Sequence, residues 1–120
     1  MTNKKILVID DDESMRALVR LHLANAGYDV VLAEDAVEGG KLLLASPPDL
    51  LVVDAEIPYL SGVDFVAALL ADATAPSVPI LFVTAHEQYR DRFDSFEAKY
   101  LIKPFTVEQL LGKVREVLGT

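Results

Sequence analysis

Leu50-Leu51-Val52-Val53-Asp54 sets four apolar residues in a row, two of them β-branched, and ends the run on a carboxylate. A half-buried strand would alternate apolar with polar. This run has no polar face, so it reads as a short strand covered on both sides, as in a parallel sheet. An ionised Asp cannot sit in the middle of such a strand, which puts Asp54 at the rim where sheet meets loop. Ala55-Glu56-Ile57-Pro58-Tyr59-Leu60-Ser61-Gly62 follows, a loop punctuated by Pro and Gly that leads into a helix-periodic segment.

Working outward, the same pattern recurs. Residues 5–9 read as a first buried strand, followed by Asp10-Asp11-Asp12. Residues 13–26 read as a helix with a broad apolar side of Met15, Leu18, Val19, Leu21, His22 and Leu23, capped by Asp12 and ended by Gly27. Residues 30–33 form a second strand, and Asp35 caps a helix over residues 36–45 that Pro47-Pro48 stops. Gly39-Gly40 inside that helix costs about 1 kcal/mol per residue against Ala, which predicts a weak element. Residues 50–53 are the third strand, 62–71 the third helix, 73–78 a loop and 79–83 the fourth strand, ended by Thr84.

Residues 86–95 are the most polar region, yet Tyr89, Phe93 and Phe96 at i, i+4 and i+7 favour a short or irregular fourth helix with one aromatic face. Residues 99–102 are the fifth strand. Thr106 with Gln109 is a capping-box arrangement opening a last helix through Leu110, Leu111, Val114 and Leu118. Five apolar strands alternating with five helices predict an α/β fold, a doubly wound parallel sheet with helices on both faces. No repeat or linker divides the chain, so residues 1–120 read as one domain.

Composition narrows the function. Eleven Lys and Arg against 19 Asp and Glu give a formal net charge of -8, which repels phosphates and argues against a direct nucleic-acid footprint. The absence of cysteine excludes thiolate chemistry and Cys-based zinc sites, and fits a reducing compartment. No run approaches the roughly 18 apolar residues of a membrane span, and the apolar run after Met1-Thr2-Asn3-Lys4-Lys5 is too short for a signal peptide. A cytoplasmic location without membrane insertion is the expectation.

The polar residues with chemical potential share one location. Asp10 and Asp11 follow the first strand, Asp54 ends the third, Thr84 the fourth and Lys103 the fifth, and in a parallel sheet all of these fall on one rim. If the strands run in the common order 2-1-3-4-5, the first and third are neighbours and three carboxylates meet. Such a group repels by a few kcal/mol per pair at intermediate dielectric. Lys103 offsets part of this, and oxygen-only donors favour Mg²⁺ over zinc for the remainder. A carboxylate beside Mg²⁺ is also a competent nucleophile toward phosphorus, with Thr84 and Lys103 placed to hold phosphoryl oxygens.

At these residues the sequence resembles the chemotaxis-regulator-like response regulator receiver domain of bacterial two-component signalling. The resemblance spans Ile6-Leu7-Val8-Ile9-Asp10-Asp11-Asp12, Pro48-Asp49-Leu50 through Asp54, Pro58 with Gly62, Val83-Thr84-Ala85 and Tyr100-Leu101-Ile102-Lys103-Pro104-Phe105. It implies a flavodoxin-like fold and a phosphorelay switch that takes a phosphoryl group on Asp54 from a histidine kinase or phosphotransfer protein. Mg²⁺ would be held by Asp10, Asp11, Asp54 and the backbone carbonyl of Glu56. Thr84 and Lys103 would contact the phosphoryl group, Tyr100 would follow Thr84, and Lys103-Pro104 would be a cis peptide. The protein would be a switch with self-catalysed chemistry rather than a turnover enzyme, signalling to a downstream partner or a fused output domain.

Two departures stand out: the segment between Thr84 and Lys103 is short, and Phe96-Glu97-Ala98-Lys99 stands where a Gly-Ala pair often precedes the fifth strand. Glu56 and His86, two residues beyond Asp54 and Thr84, are either surface polarity or rate-tuning groups bordering the phosphoryl site. Asp12 reads as a helix cap. Two other readings compete: a Mg²⁺-dependent phosphohydrolase with Asp10 as nucleophile and Asp12 as acid, and a receiver-like binding module that works without phosphorylation.

Overall fold

The computed structural model describes residues 3–119. Strands β1 (Lys5–Ile9), β2 (Asp29–Ala33), β3 (Leu50–Val53), β4 (Ile80–Thr84) and β5 (Lys99–Ile102) alternate with helices α1 (Glu13–Asn25), α2 (Ala36–Ala45), α3 (Gly62–Ala71), α4 (Arg90–Ser95) and α5 (Val107–Leu118). The strands form one parallel sheet in the order β2-β1-β3-β4-β5, as expected. Successive residues of a strand point to opposite faces, so the apolar runs split cleanly between two cores. Leu7, Ile9, Leu51, Val53 and Phe82 pack beneath α2, α3 and α4 with Leu43, Val66 and Phe93. Ile6, Val8, Leu50, Val52, Leu81 and Val83 pack beneath α1 and α5 with Val19, Leu23, Leu110 and Val114.

Several boundaries move, each for a hydrogen-bonding reason. β2 begins at Asp29, whose N–H donates to the Lys4 carbonyl at 2.9 Å. β4 begins after Pro79, which has no N–H to give, and extends through Thr84, whose carbonyl accepts from the Lys103 N–H at 2.9 Å. α1 ends at Asn25 rather than residue 26, and its apolar side is narrower than the periodicity suggests: Val19 and Leu23 are buried while Leu18 and Leu21 face solvent. Residues 86–95 are not one helix. Neither helical start there has a side-chain cap, and the first turn tightens into a 3₁₀ segment, Glu87–Tyr89, before α4. The aromatic stripe is core packing: Phe93 is fully buried, its ring 4.2 Å from Phe82 and 5.3 Å from Tyr100.

Gly39 is a matter of fit rather than of weakness. A Cβ there would overlap the Cδ1 of the fully buried Ile9, so the glycine lets α2 lie close on β1. Among the described residues, no helix is long and apolar enough to cross a membrane.

α1 and α4 end in the same device. Beyond α1, Gly27 (φ 97°) donates to the Ala24 carbonyl and Tyr28 to that of Leu23; beyond α4, Glu97 (φ 56°) donates to Asp94 and Ala98 to Phe93. Both are Schellman turns, which need a left-handed residue at the turning position. Glycine takes that conformation freely, whereas a residue with a Cβ is strained by about 1 kcal/mol or more. Glu97→Gly is therefore expected to raise stability by about 1 kcal/mol, read as a higher denaturant midpoint. Gly39→Ala is expected to lose about 1–3 kcal/mol to overpacking despite better helix propensity. In an Ile9→Val background, which removes the colliding Cδ1, most of that loss should disappear.

Candidate functional site

Sheet hydrogen bonding continues one residue past the strand ends and sets the site. The Asp10 N–H donates to the Ala33 carbonyl at 3.1 Å, the Asp54 N–H to Ile9 at 3.1 Å, and the Lys103 N–H to Thr84 at 2.9 Å. Each functional residue is thus registered by the neighbouring strand before its side chain makes any contact. Asp10 and Asp54 are buried, and the Lys103 Nζ lies between them, 2.8 Å from Asp10 Oδ2 and 2.9 Å from Asp54 Oδ2. The two acids also share a local motif: the other oxygen of each accepts the N–H two residues ahead, Asp12 at 2.9 Å for Asp10 and Glu56 at 3.2 Å for Asp54.

The backbone around them is pinned. Gly62 opens α3 against Asp54, and a Cβ on it would collide with the Asp54 carbonyl. The Lys103-Pro104 peptide is cis. Arg16, one turn into α1, donates from Nη1 to the Asp10 carbonyl at 2.6 Å and brings a second cation to the acidic rim.

One cleft is lined by Asp10, Asp11, Asp54, Glu56, His86 and Lys103, so six of the eight expected site residues meet there. Asp12 also borders it, but its Oδ1 accepts from the Ser14 and Met15 N–H groups, the helix-capping role read from the sequence. The other two stand outside the cleft lining. Thr84 is fully buried, with its hydroxyl accepting from the His86 N–H at 3.1 Å. Tyr100 lies on β5 against Phe93, under the Arg90 guanidinium. The Glu56 side chain leans across to the loop after β4: His86 Nε2 is 3.3 Å from its Oε2, and the Tyr89 hydroxyl donates to its Oε1 at 2.7 Å. Arg16 and Tyr89 were not singled out from the sequence as site residues. The signal for Arg16 was its place one helical turn beyond Asp12; for Tyr89 it was its position five residues beyond Thr84.

Burial sets the electrostatics. Desolvation lifts the Asp10 carboxyl above its ordinary value of 3.8, outweighing the hydrogen bonds from Lys103 and the Asp12 N–H that act to lower it. Burial also works against the Lys103 ammonium, but its hydrogen bonds to Asp10 and Asp54 prevail and hold it above 10.5. Both groups are thus held as ions against the cost of burial. Among the described residues, no three His, Cys, Asp or Glu side chains converge closely enough to hold a metal ion by themselves. Two buried carboxylates with Asp11 and a nearby backbone carbonyl instead suit a hard cation that keeps most of its water, as Mg²⁺ does.

The family model of the response regulator receiver domain matches residues 6–115. Over 117 residues the chain is 39% identical to the DNA-binding dual master transcriptional regulator RpaA of Synechocystis, covering 95% of this chain and 48% of that protein. It is 38% identical to the response regulator MprA of Mycobacterium ulcerans, covering 95% of this chain and 50% of that protein. The chain thus spans about half the length of these curated relatives. Among solved structures, the chemotaxis response regulator CheY4 of Vibrio cholerae superposes with a TM-score of 0.87 at 30% identity, covering 97% of this chain and 99% of that one. The receiver domain of the Francisella response regulator 1452 superposes with a TM-score of 0.87 at 27% identity, covering 98% of each chain.

The Asp10 shift carries a pH dependence. The folded chain binds more protons than the unfolded one between 3.8 and the raised value, so stability falls as pH rises through that window. Asp10→Asn removes that cost while keeping an oxygen for Lys103. Its thermal midpoint is expected to exceed that of wild type at pH 7, by a margin that shrinks as pH is lowered toward 3.8.

Proposed function

The chain belongs to the response regulator receiver domain family, whose members are phosphorylation-dependent switches of two-component signalling, and from that premise we propose that Asp54 is its phosphoacceptor. The observation that carries this assignment is the shared ammonium: Lys103 joins Asp54 and Asp10 at the mouth of a cleft, with Asp54 buried beneath it. The donor is a histidine kinase or histidine phosphotransfer protein. One Asp54 oxygen attacks the phosphorus, and the phosphorus–nitrogen bond of the donor breaks with its electron pair left on the imidazole. Lys103 neutralises charge on the phosphoryl oxygens as the transfer proceeds. Asp10, Asp11, Asp54 and the Glu56 carbonyl would hold Mg²⁺, which when bound supplies further charge neutralisation at the same oxygens.

The phosphoryl group adds about two negative charges. Thr84 gives up its bond from the His86 N–H and turns its hydroxyl toward them, and Tyr100 follows it. A pre-existing equilibrium of the face formed by α4, β5 and α5 is thereby shifted. Glu56 and His86, bordering the cleft, tune how readily water reaches the phosphoryl group. The chain is a single cytoplasmic switch domain rather than a turnover enzyme, and its output lies in a protein partner or a further domain. The acidic balance gives this domain no basic footprint for nucleic acid. The competing phosphohydrolase reading is weakened, because one oxygen of its acid, Asp12, already caps α1.

Intact-mass spectrometry after incubation with Mg²⁺ and acetyl phosphate tests the assignment on wild type, Asp54→Asn and Asp10→Asn. A single phosphoryl adduct is expected on wild type and absent from Asp54→Asn. An adduct that survives in Asp54→Asn but is lost in Asp10→Asn would instead identify the first-strand acid as nucleophile. Equal partner binding by wild type and Asp54→Asn would favour a phosphorylation-independent module.

A further inference from the structure

Tyr89 ends the 3₁₀ turn and opens α4, with its ring on Phe93 (centroids 6.5 Å apart) and edge-on to His86 at 6.3 Å. Phe93 is fully buried and stacked on Phe82, so the base of Tyr89 is anchored in the core while its hydroxyl reaches the rim of the cleft. There it meets Glu56 from the opposite loop, donating to Oε1 at 2.7 Å, while His86 Nε2 stands 3.3 Å from Oε2. One oxygen of the Glu56 carboxylate is hydrogen-bonded to Tyr89 and the other lies beside the His86 ring. In this position the carboxylate lies across the cleft edge rather than pointing at Asp54. Glu56, from the loop after β3, and His86, from the loop after β4, both line the cleft that holds Asp54 and meet there.

We propose that Tyr89 is a positioning residue that prolongs the life of the phosphorylated state, by tethering the Glu56 carboxylate across the mouth of the cleft. This inference rests on Asp54 being the acceptor. In the step concerned, the oxygen of water bonds to phosphorus and the bond from phosphorus to the Asp54 oxygen breaks. Its electron pair returns to the carboxylate, and both hydrogens of the water leave with the phosphate as H₂PO₄⁻. A phosphoryl group on Asp54 repels Glu56, and a hydrogen bond from a neutral phenol to a charged carboxylate is the kind of contact that retains the acid against that repulsion. Without the phenol, Glu56 keeps only its exposed contact with His86 and moves off, and water enters. Phenylalanine at position 89 preserves the ring packing and removes the tether alone.

The test uses the full chain as wild type, Tyr89→Phe, Glu56→Ala and the double variant. Each is loaded with acetyl phosphate and Mg²⁺ and freed of donor, and the adduct is followed by intact mass. Tyr89→Phe is expected to lose its phosphoryl group roughly 3- to 10-fold faster than wild type, the kinetic equivalent of one hydrogen bond. Glu56→Ala should be at least as fast, and the double variant no faster than Glu56→Ala. The thermal midpoint of unphosphorylated Tyr89→Phe should match wild type, separating positioning from support of the fold. A wild-type lifetime in Tyr89→Phe, a longer one, or the same acceleration in the Glu56→Ala background overturns the proposal. If wild type takes up no phosphoryl group at all, the acceptor assignment falls first and takes this inference with it.

Discussion

One ammonium shared by two buried carboxylates organises this molecule. Lys103 reaches Asp10 and Asp54 only because β1, β3, β4 and β5 are in register, and the backbone bonds that fix the three residues are continuations of the ladders between those strands. The arrangement is no gift to stability. Withdrawing ions from water costs several kcal/mol each, and the mutual attraction of a buried group repays this only in part. The upward shift of Asp10 marks the remaining imbalance. A rim of buried acids whose burial is repaid only in part is poorly suited to a structural role and well suited to receiving a hard cation.

Most of the fold was legible because the signals that specify it are strong and local. Unbroken apolar runs identified doubly covered strands, and the side-chain alternation within those runs divides them between the two cores. Thr106 and Gln109 form the expected capping box. The acids and the lysine were legible because charge directly after an apolar run has few explanations. The strand order, by contrast, was assumed as a common arrangement and supported by resemblance rather than deduced.

What escaped the sequence has physical causes too. Tyr89 was read as part of an aromatic stripe, and the reading was correct for its ring; periodicity carries no information about where a hydroxyl at the end of a packed ring will point. Arg16 bonds a backbone carbonyl, a partner that no side-chain pattern reveals. The strand limits at Asp29 and Thr84 depend on which carbonyl the neighbouring strand offers. Glu97 is the plainest case: α4 needs a left-handed residue to turn into β5, and the chain supplies one that resists that conformation.

The two loops that border the cleft are anchored differently. The loop after Asp54 is clamped at both ends, by a central strand paired on either side and by a glycine whose missing side chain lets α3 press on the Asp54 carbonyl. The segment from Ala85 to Ala98 holds an uncapped 3₁₀ turn and a six-residue helix, while each loop carries one left-handed residue with a Cβ, Tyr59 in the first and Glu97 in the second. The two walls thus differ in their caps: Ser61 caps α3 through the Asp64 N–H, whereas neither helical start after β4 has a side-chain cap. The wall that leads to α4 and β5 is therefore the less firmly capped of the two.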